Sequence, residues 1–413
     1  MKKWYTLALF NLLVLAILGL ILRYKINFSL PFLEQKNLLH AHSHFAFNGW
    51  VSFLLQLVLL QGFTNNYTES KKKWDRFFLF STFINYAMIA SFSMVGYAAI
   101  SIVFSTISLW LSYYFCYHLF KALAVNNVNT VSIKFVKAAL FFLIFSSLGP
   151  YALAIIIAVK SSHQYWYHNA LYFFLHFQYN GWFTFGVLAL LFKKLEKSTN
   201  YNPAPAKAFY LLLVTTCIPA YLFTSLWHNR PIVITIIILI TALLQTTALY
   251  FLWKLLRKNT TQVYTGLPLV CKSLYTIAIL SFIIKILLQF FSVHPQLAKL
   301  AFGFRPVIIA YLHLIFLGFI SMYLLSFITE KNILNPSKKY TIIALVMFSA
   351  GIIINELLLG MQGISAIYYL YFPSLNLLLF ANTFIMVFGA LLLFISSLYS
   401  SNKLPNPDTK IYL

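Results

Sequence analysis

At three places in this 413-residue chain a histidine stands five residues before a glycine and six before an aromatic residue. The sets are His44 with Gly49 and Trp50, His176 with Gly181 and Trp182, and His313 with Gly318 and Phe319. They lie 132 and 137 residues apart, each inside a long apolar run. An imidazole in such a place can hydrogen bond between helices, relay protons, or offer a neutral nitrogen to a metal. Haem iron takes an axial imidazole, and histidine is a common copper ligand. The following glycine would allow close approach of a flat macrocycle or of a neighbouring helix. A lone membrane histidine is usually packing glue. Three at matched spacing indicate a repeated unit with a shared role. There is no Cys-x-x-Cys-His, so covalent c-type haem is not expected.

The composition says what kind of element must hold these residues. Only 9% of the chain is charged and 61% is hydrophobic, whereas a soluble protein carries roughly 25% charged residues. The expected class is an all-α, polytopic membrane protein. The net charge is +23, from 30 Lys and Arg against 7 Asp and Glu. In a soluble chain that excess would suggest nucleic acid. Here the bases fall in short loops between apolar runs, where they set topology, and no nucleic-acid partner is expected. Cys116, Cys217 and Cys271 are far apart, with neither metal spacing nor a disulfide framework. No phosphate-binding glycine loop or zinc helix motif occurs.

A span needs about 20 apolar residues. Twelve candidates fall near 4–22, 39–63, 76–96, 99–120, 136–158, 167–192, 208–228, 231–253, 269–292, 306–329, 340–361 and 373–399. The first has the basic and apolar parts of a signal peptide but no clear cleavage site, and is read as a retained span. The third and fourth divide only at Gly96, and the last two only at Gly360, Gly363 and Pro373. With the N-terminus inside, inner segments hold 22 bases and outer segments 7, including Arg23 and Arg305. Positive loops stay inside, which puts both termini in the cytoplasm and the protein in the inner membrane. One transmembrane domain, 1–399, is expected, with four-helix repeats at about 1–130, 131–265 and 266–399, arranged about a pseudo-threefold axis. A cytoplasmic tail, 400–413, follows.

In this topology His44, His176 and His313 lie in spans two, six and ten, roughly 8–13 Å below the outer surface. His40, His42, His163, His168, His228 and His294 are also on the outer half. His40 and His44 share a helix face, and His42 points elsewhere. Lys285 and Glu356 are the other ionisable groups well inside spans. They could pair with each other or serve a proton path, or Lys285 could meet a haem propionate.

Three four-helix units, with histidines in spans two, six, seven and ten near the outer side, resemble the catalytic subunit of haem–copper oxidases. That superfamily includes the catalytic subunit of nitric-oxide reductase. The resemblance covers nearly the whole chain in topology and is specific at a few short sites. It implies a non-covalent, b-type haem. One low-spin ligand would be in span two, matching His44, with His40 and His42 as alternatives. The other would be His313, whose spacing to Gly318 is similar to the second histidine of the family's His-x-His-x-x-x-x-Gly pattern. It implies copper ligands at His176 and His228, and the run from His176 to Gly181 is similar to the reductase's His-x-x-x-Glu-Gly. There are departures. Tyr311 stands at the high-spin haem ligand position, although tyrosine binds haem iron in other proteins. Asn229 replaces the second histidine of a copper-binding pair, and Asn180 replaces the reductase glutamate. Tyr179 is three residues after His176, where oxidases have a tyrosine four after.

The chain also resembles the NnrS-like haem- and copper-containing membrane proteins linked to nitrosative stress. His40-Ala41-His42 and the run from Leu312-His313 to Gly318 are similar to segments of that family. The first resemblance implies electron transfer or terminal reduction of oxygen or nitric oxide, with an electron donor and accessory subunits as partners. The second implies a nitric-oxide response. A third reading, from the residues alone, is a proton-coupled transporter with a histidine path at the repeat interface. Off-centre histidines and a single midplane carboxylate speak against it. The topology is checked by reporter fusions: a cytoplasm-active reporter is expected to work at either terminus, and a periplasm-active one at neither.

Overall fold

The computed structural model describes residues 1–64, 70–125, 129–159, 164–226, 230–370 and 372–399. His163, His228, Asn229 and the tail 400–413 lie outside the described residues. The structure is 87% helix, with no strand among the described residues. In lipid every backbone polar group must be satisfied within the protein, and a helix does so without a partner. The helices are α1 (Lys2–Asn27), α2 (Gln35–Phe63), α3 (Lys71–Val95), α4 (Ala99–Val125), α5 (Val131–Ala158) and α6 (164–195). They continue with α7 (Pro203–Cys217), α8 (Ile232–Tyr264), α9 (Leu269–Phe291), α10 (Arg305–Glu330), α11 (Lys339–Ile367) and α12 (Pro373–Tyr399).

Among the described residues ten helices are long and apolar enough to cross a membrane, or eleven if α7 and the 3-10 segment Pro219–Ser225 form one bent span. The remaining helix, α6, carries His168, His176, Gln178 and Asn180 and is correspondingly less apolar. The protein is therefore a multi-pass membrane protein. α7 bends by 46° into its 3-10 segment, because Pro219 has no N–H to continue the helical ladder.

Gly96 divides α3 from α4 with φ +62°, and the Asn37 side chain sits where its Cβ would be. Gly360 and Gly363, by contrast, do not divide α11 from α12. α11 runs through both to Ile367, and α12 begins at Pro373. A Cβ on Gly363 would lie 3.0 Å from Val307 of α10, so this glycine serves helix packing rather than a turn. A short helix, Pro295–Gly303, between α9 and α10 was not legible in the apolar pattern.

The repeats coincide with a change of backbone geometry. Shortly after its histidine, each of α2, α6 and α10 widens into a π-helical turn, at Ala46–Ser52, Phe177–Phe183 and Leu314–Ser321. Such turns exchange i→i+4 for i→i+5 bonds and re-aim the side chains beyond them. Asn11 of α1 donates to the Gly49 carbonyl at 2.7 Å, supporting the first of these turns.

The three wide turns meet in the core. The Trp50 indole N–H donates to Ser321 Oγ at 2.8 Å, and that of Trp182 donates to Ser52 Oγ at 3.1 Å. Each acceptor stands two residues after the aromatic position of its own repeat. The third such bond is absent because Phe319 has no donor, and Thr184 Oγ1 instead donates to the Tyr179 carbonyl at 2.6 Å. Phe47, Phe183 and Phe316 close the junction, with ring centroids 4.8 to 5.6 Å apart. The repeat glycines serve packing here. A Cβ on Gly181 would strike Phe142 of α5, and one on Gly318 would strike Ser281 of α9.

Two substitutions separate these contributions. Trp182→Phe is expected to cost about 1 kcal/mol, the net worth of one hydrogen bond. Gly181→Leu overpacks the α5–α6 contact and is expected to cost more, typically about 1–3 kcal/mol. Thermal unfolding in detergent reads both, and an unchanged midpoint in the two variants would contradict the junction's role.

Candidate cofactor cavity

The segment Gln35–Phe45 at the start of α2 is regular α-helix, so residues 40 and 44 share a face and residue 42 sits about 200° around from either. The 40/44 face meets the end of α3 and the turn after it. His44 stacks on Phe92 at 4.2 Å between centroids, and its Nε2 is 3.0 Å from Tyr97 Oη. His40 lies edge-on to Tyr97 at 4.5 Å. His42 faces the other way, toward α1, where a Cβ on Gly19 would lie 3.4 Å from the His42 ring.

Between α1, α2, α10, α11 and α12 lies a cavity of about 580 Å³, with His42 on one wall and His313 on another. Phe47, Phe316 and Met386 are among the residues that line it, and most of the remaining surface is apolar. Both imidazoles have a buried Nδ1 without a hydrogen-bond partner. Buried polar atoms are nearly always bonded, so two orphans on one cavity need an explanation. Arg23, near the end of α1, and Arg305, at the start of α10, both line the cavity. Neither takes part in the ion pairs found among the described residues.

The residues present fit a haem. Two imidazoles can offer axial nitrogens. The volume is within the usual range for a cofactor site. Two guanidinium groups present the fork geometry that binds carboxylates such as the haem propionates.

The sequence reading pairs His313 with His44, or alternatively with His40 or His42. His42 shares the cavity with His313, whereas His44 and His40 are turned toward Phe92 and Tyr97. The three repeat histidines consequently do not converge. Lys36, His40 and His44 recur every four residues and form one stripe, whereas Gln35, Leu39, His42 and Ala46 form another that lines the cavity. That second stripe was the available signal for His42. Arg23 and Arg305 were also missed, since both counted only as outer bases.

His176 is elsewhere and is buried. Its Nε2 is 2.8 Å from the Cys217 carbonyl oxygen, and its Nδ1 is 3.0 Å from Asn180 Nδ2. Tyr311 is edge-on to Tyr179 at 6.5 Å between centroids, and its hydroxyl is buried without a partner. No three His, Cys, Asp or Glu side chains come together to hold a metal among the described residues. The expected second ligand, His228, lies outside the described residues, and both ring nitrogens of His176 are already engaged in hydrogen bonds.

Lys285 of α9 is 3% exposed and does not line the His42–His313 cavity, so it is not placed to meet a propionate there. Glu356 of α11 accepts from Asn355 Nδ2 at 3.2 Å. The two do not form an ion pair, so the expected pairing is not present.

A solved structure described as a haem–copper terminal oxidase dimer matches with a TM-score of 0.72, over 97% of this chain and 84% of that one, at 11% sequence identity. No protein-family model matches the sequence, and no curated protein does. The likeness is one of fold, and it makes this chain an oxidase-like membrane protein in architecture.

Proposed function

We propose that this protein binds a haem between His42 and His313 and transfers electrons through it. The observation that carries this reading is the apolar cavity that both imidazoles line, together with two arginines on the same lining that take part in no ion pair among the described residues. His42 and His313 would hold the haem iron, each presented from its helix as a neutral imidazole. Arg23 and Arg305 would receive the propionates and so fix which edge of the macrocycle faces the cavity mouth. Phe47, Phe316 and Met386 would exclude water from the rest of the ring. A haem so ligated supplies one-electron chemistry between ferric and ferrous iron. Held by two protein imidazoles, such a haem would supply electron transfer rather than gas binding.

The arrangement of the spans belongs to the same reading. Three units about a pseudo-threefold axis are supported by the head-to-tail order of the Trp50–Ser321 and Trp182–Ser52 bonds, and cytoplasmic termini by the excess of bases in the inner segments. Neither the nitric-oxide-reductase branch nor the NnrS-like branch is favoured by a particular contact. The lack of a glutamate at Asn180 weighs against the reductase.

Optical spectra of the detergent-purified protein, oxidised and then reduced with dithionite, test the proposal. A sharp reduced alpha band is expected, retained in His44→Ala and lost in His42→Ala and in His313→Ala. Colourless but folded protein would overturn haem binding and favour transport. A band lost in His44→Ala and kept in His42→Ala would overturn the ligand assignment.

A further inference from the structure

We propose that His176, the residue at the copper-ligand position, holds no copper and instead pins the bend in α7. This goes beyond the haem reading and does not depend on it.

The hydrogen bonds determine the tautomer. A carbonyl oxygen can only accept, so the 2.8 Å contact with Cys217 requires a proton on His176 Nε2. The neutral ring then has one lone pair, on Nδ1, and the Asn180 amide occupies it at 3.0 Å. A copper ligand must offer a free lone pair to the metal. Here neither nitrogen does, and each is engaged by a group whose own bond would be broken.

The need for that first bond can be traced along α7. In an uninterrupted helix the Cys217 carbonyl would accept from the N–H of residue 221. Beyond Pro219 the chain tightens into a 3-10 segment, and the Tyr221 N–H donates to Ile218 instead, at 3.0 Å. The Cys217 carbonyl is thus deprived of its helical donor in a buried place, and His176 supplies the replacement. Asn180, one helical turn along the same chain, holds the ring in the required orientation.

Without copper at this position, paired iron–copper reduction of oxygen or nitric oxide is not the chemistry of this chain.

The test uses full-length protein from copper-replete cells, analysed for metals as purified and again after incubation with Cu(I) and passage over a competing chelator. Copper is expected to remain substoichiometric in both samples. His176→Gln keeps a side-chain donor for the Cys217 carbonyl and is expected to melt close to wild type. His176→Ala leaves that carbonyl bare and is expected to melt several degrees lower, with the absorption spectrum of its folded fraction unchanged. One copper per chain, lost in both variants, would overturn the proposal. So would an alanine variant as stable as wild type. Protein free of both haem and copper would refute the haem reading and leave this one standing.

Discussion

The meeting of three π-helical turns constrains everything else in this fold. α2, α6 and α10 could pack side by side as plain apolar cylinders in many registers, because lipid gives little hydrophobic preference for one over another. Two indole-to-hydroxyl bonds and a triangle of phenylalanine rings remove that freedom. A buried hydroxyl or indole in hydrocarbon must find its partner, so a slip of register is opposed by each unmet donor. Once α2 and α10 are fixed against each other through Trp50 and Ser321, the turns leading into the junction have fixed positions too. His42 and His313 lie on those turns and share the cavity just beyond it.

The three repeats have a common backbone and different chemistry. Where α2 and α10 approach α1, α11 and α12, the space beside the junction stays open and two imidazoles line it. Where α6 approaches α7, a proline bend exposes a carbonyl, and the equivalent histidine is committed to it. Gly181 and Gly318 admit Phe142 and Ser281 at the corresponding depth, so close helix packing explains them without a macrocycle.

The legibility of the sequence follows the same division. Low charge and long apolar runs are conditions for surviving in lipid, so they announce a polytopic helical protein directly. The Gly–aromatic repeat marks the turns of the junction for the same reason, since only small residues admit a neighbouring helix there. Which histidine of α2 faces the cavity depends on finer geometry. His44 matches the repeat, but α2 stays α-helical through Phe45, and that keeps His44 on the α3 side and turns His42 inward. The π-turns themselves left no compositional mark that a count of apolar residues could register. The bend that occupies His176 was announced by Pro219, yet linking the two required knowing that α6 and α7 are neighbours. His228 lies outside the described residues.

Arg23 and Arg305 show how an electrostatic signal can be read two ways. Both count as exceptions to the inward bias of positive charge, and exceptions invite a local reason. Two guanidinium groups lining an apolar cavity, without carboxylates of the protein to meet them, supply that reason if the missing anions belong to a ligand. The most direct measurement is a cryo-EM map of the protein as purified. The expected result is planar density in the cavity, bonded on its two faces to His42 and His313, with its acidic edge toward Arg23 and Arg305. Lipid or empty space between those two rings, or a metal centre on His44 instead, would contradict the account.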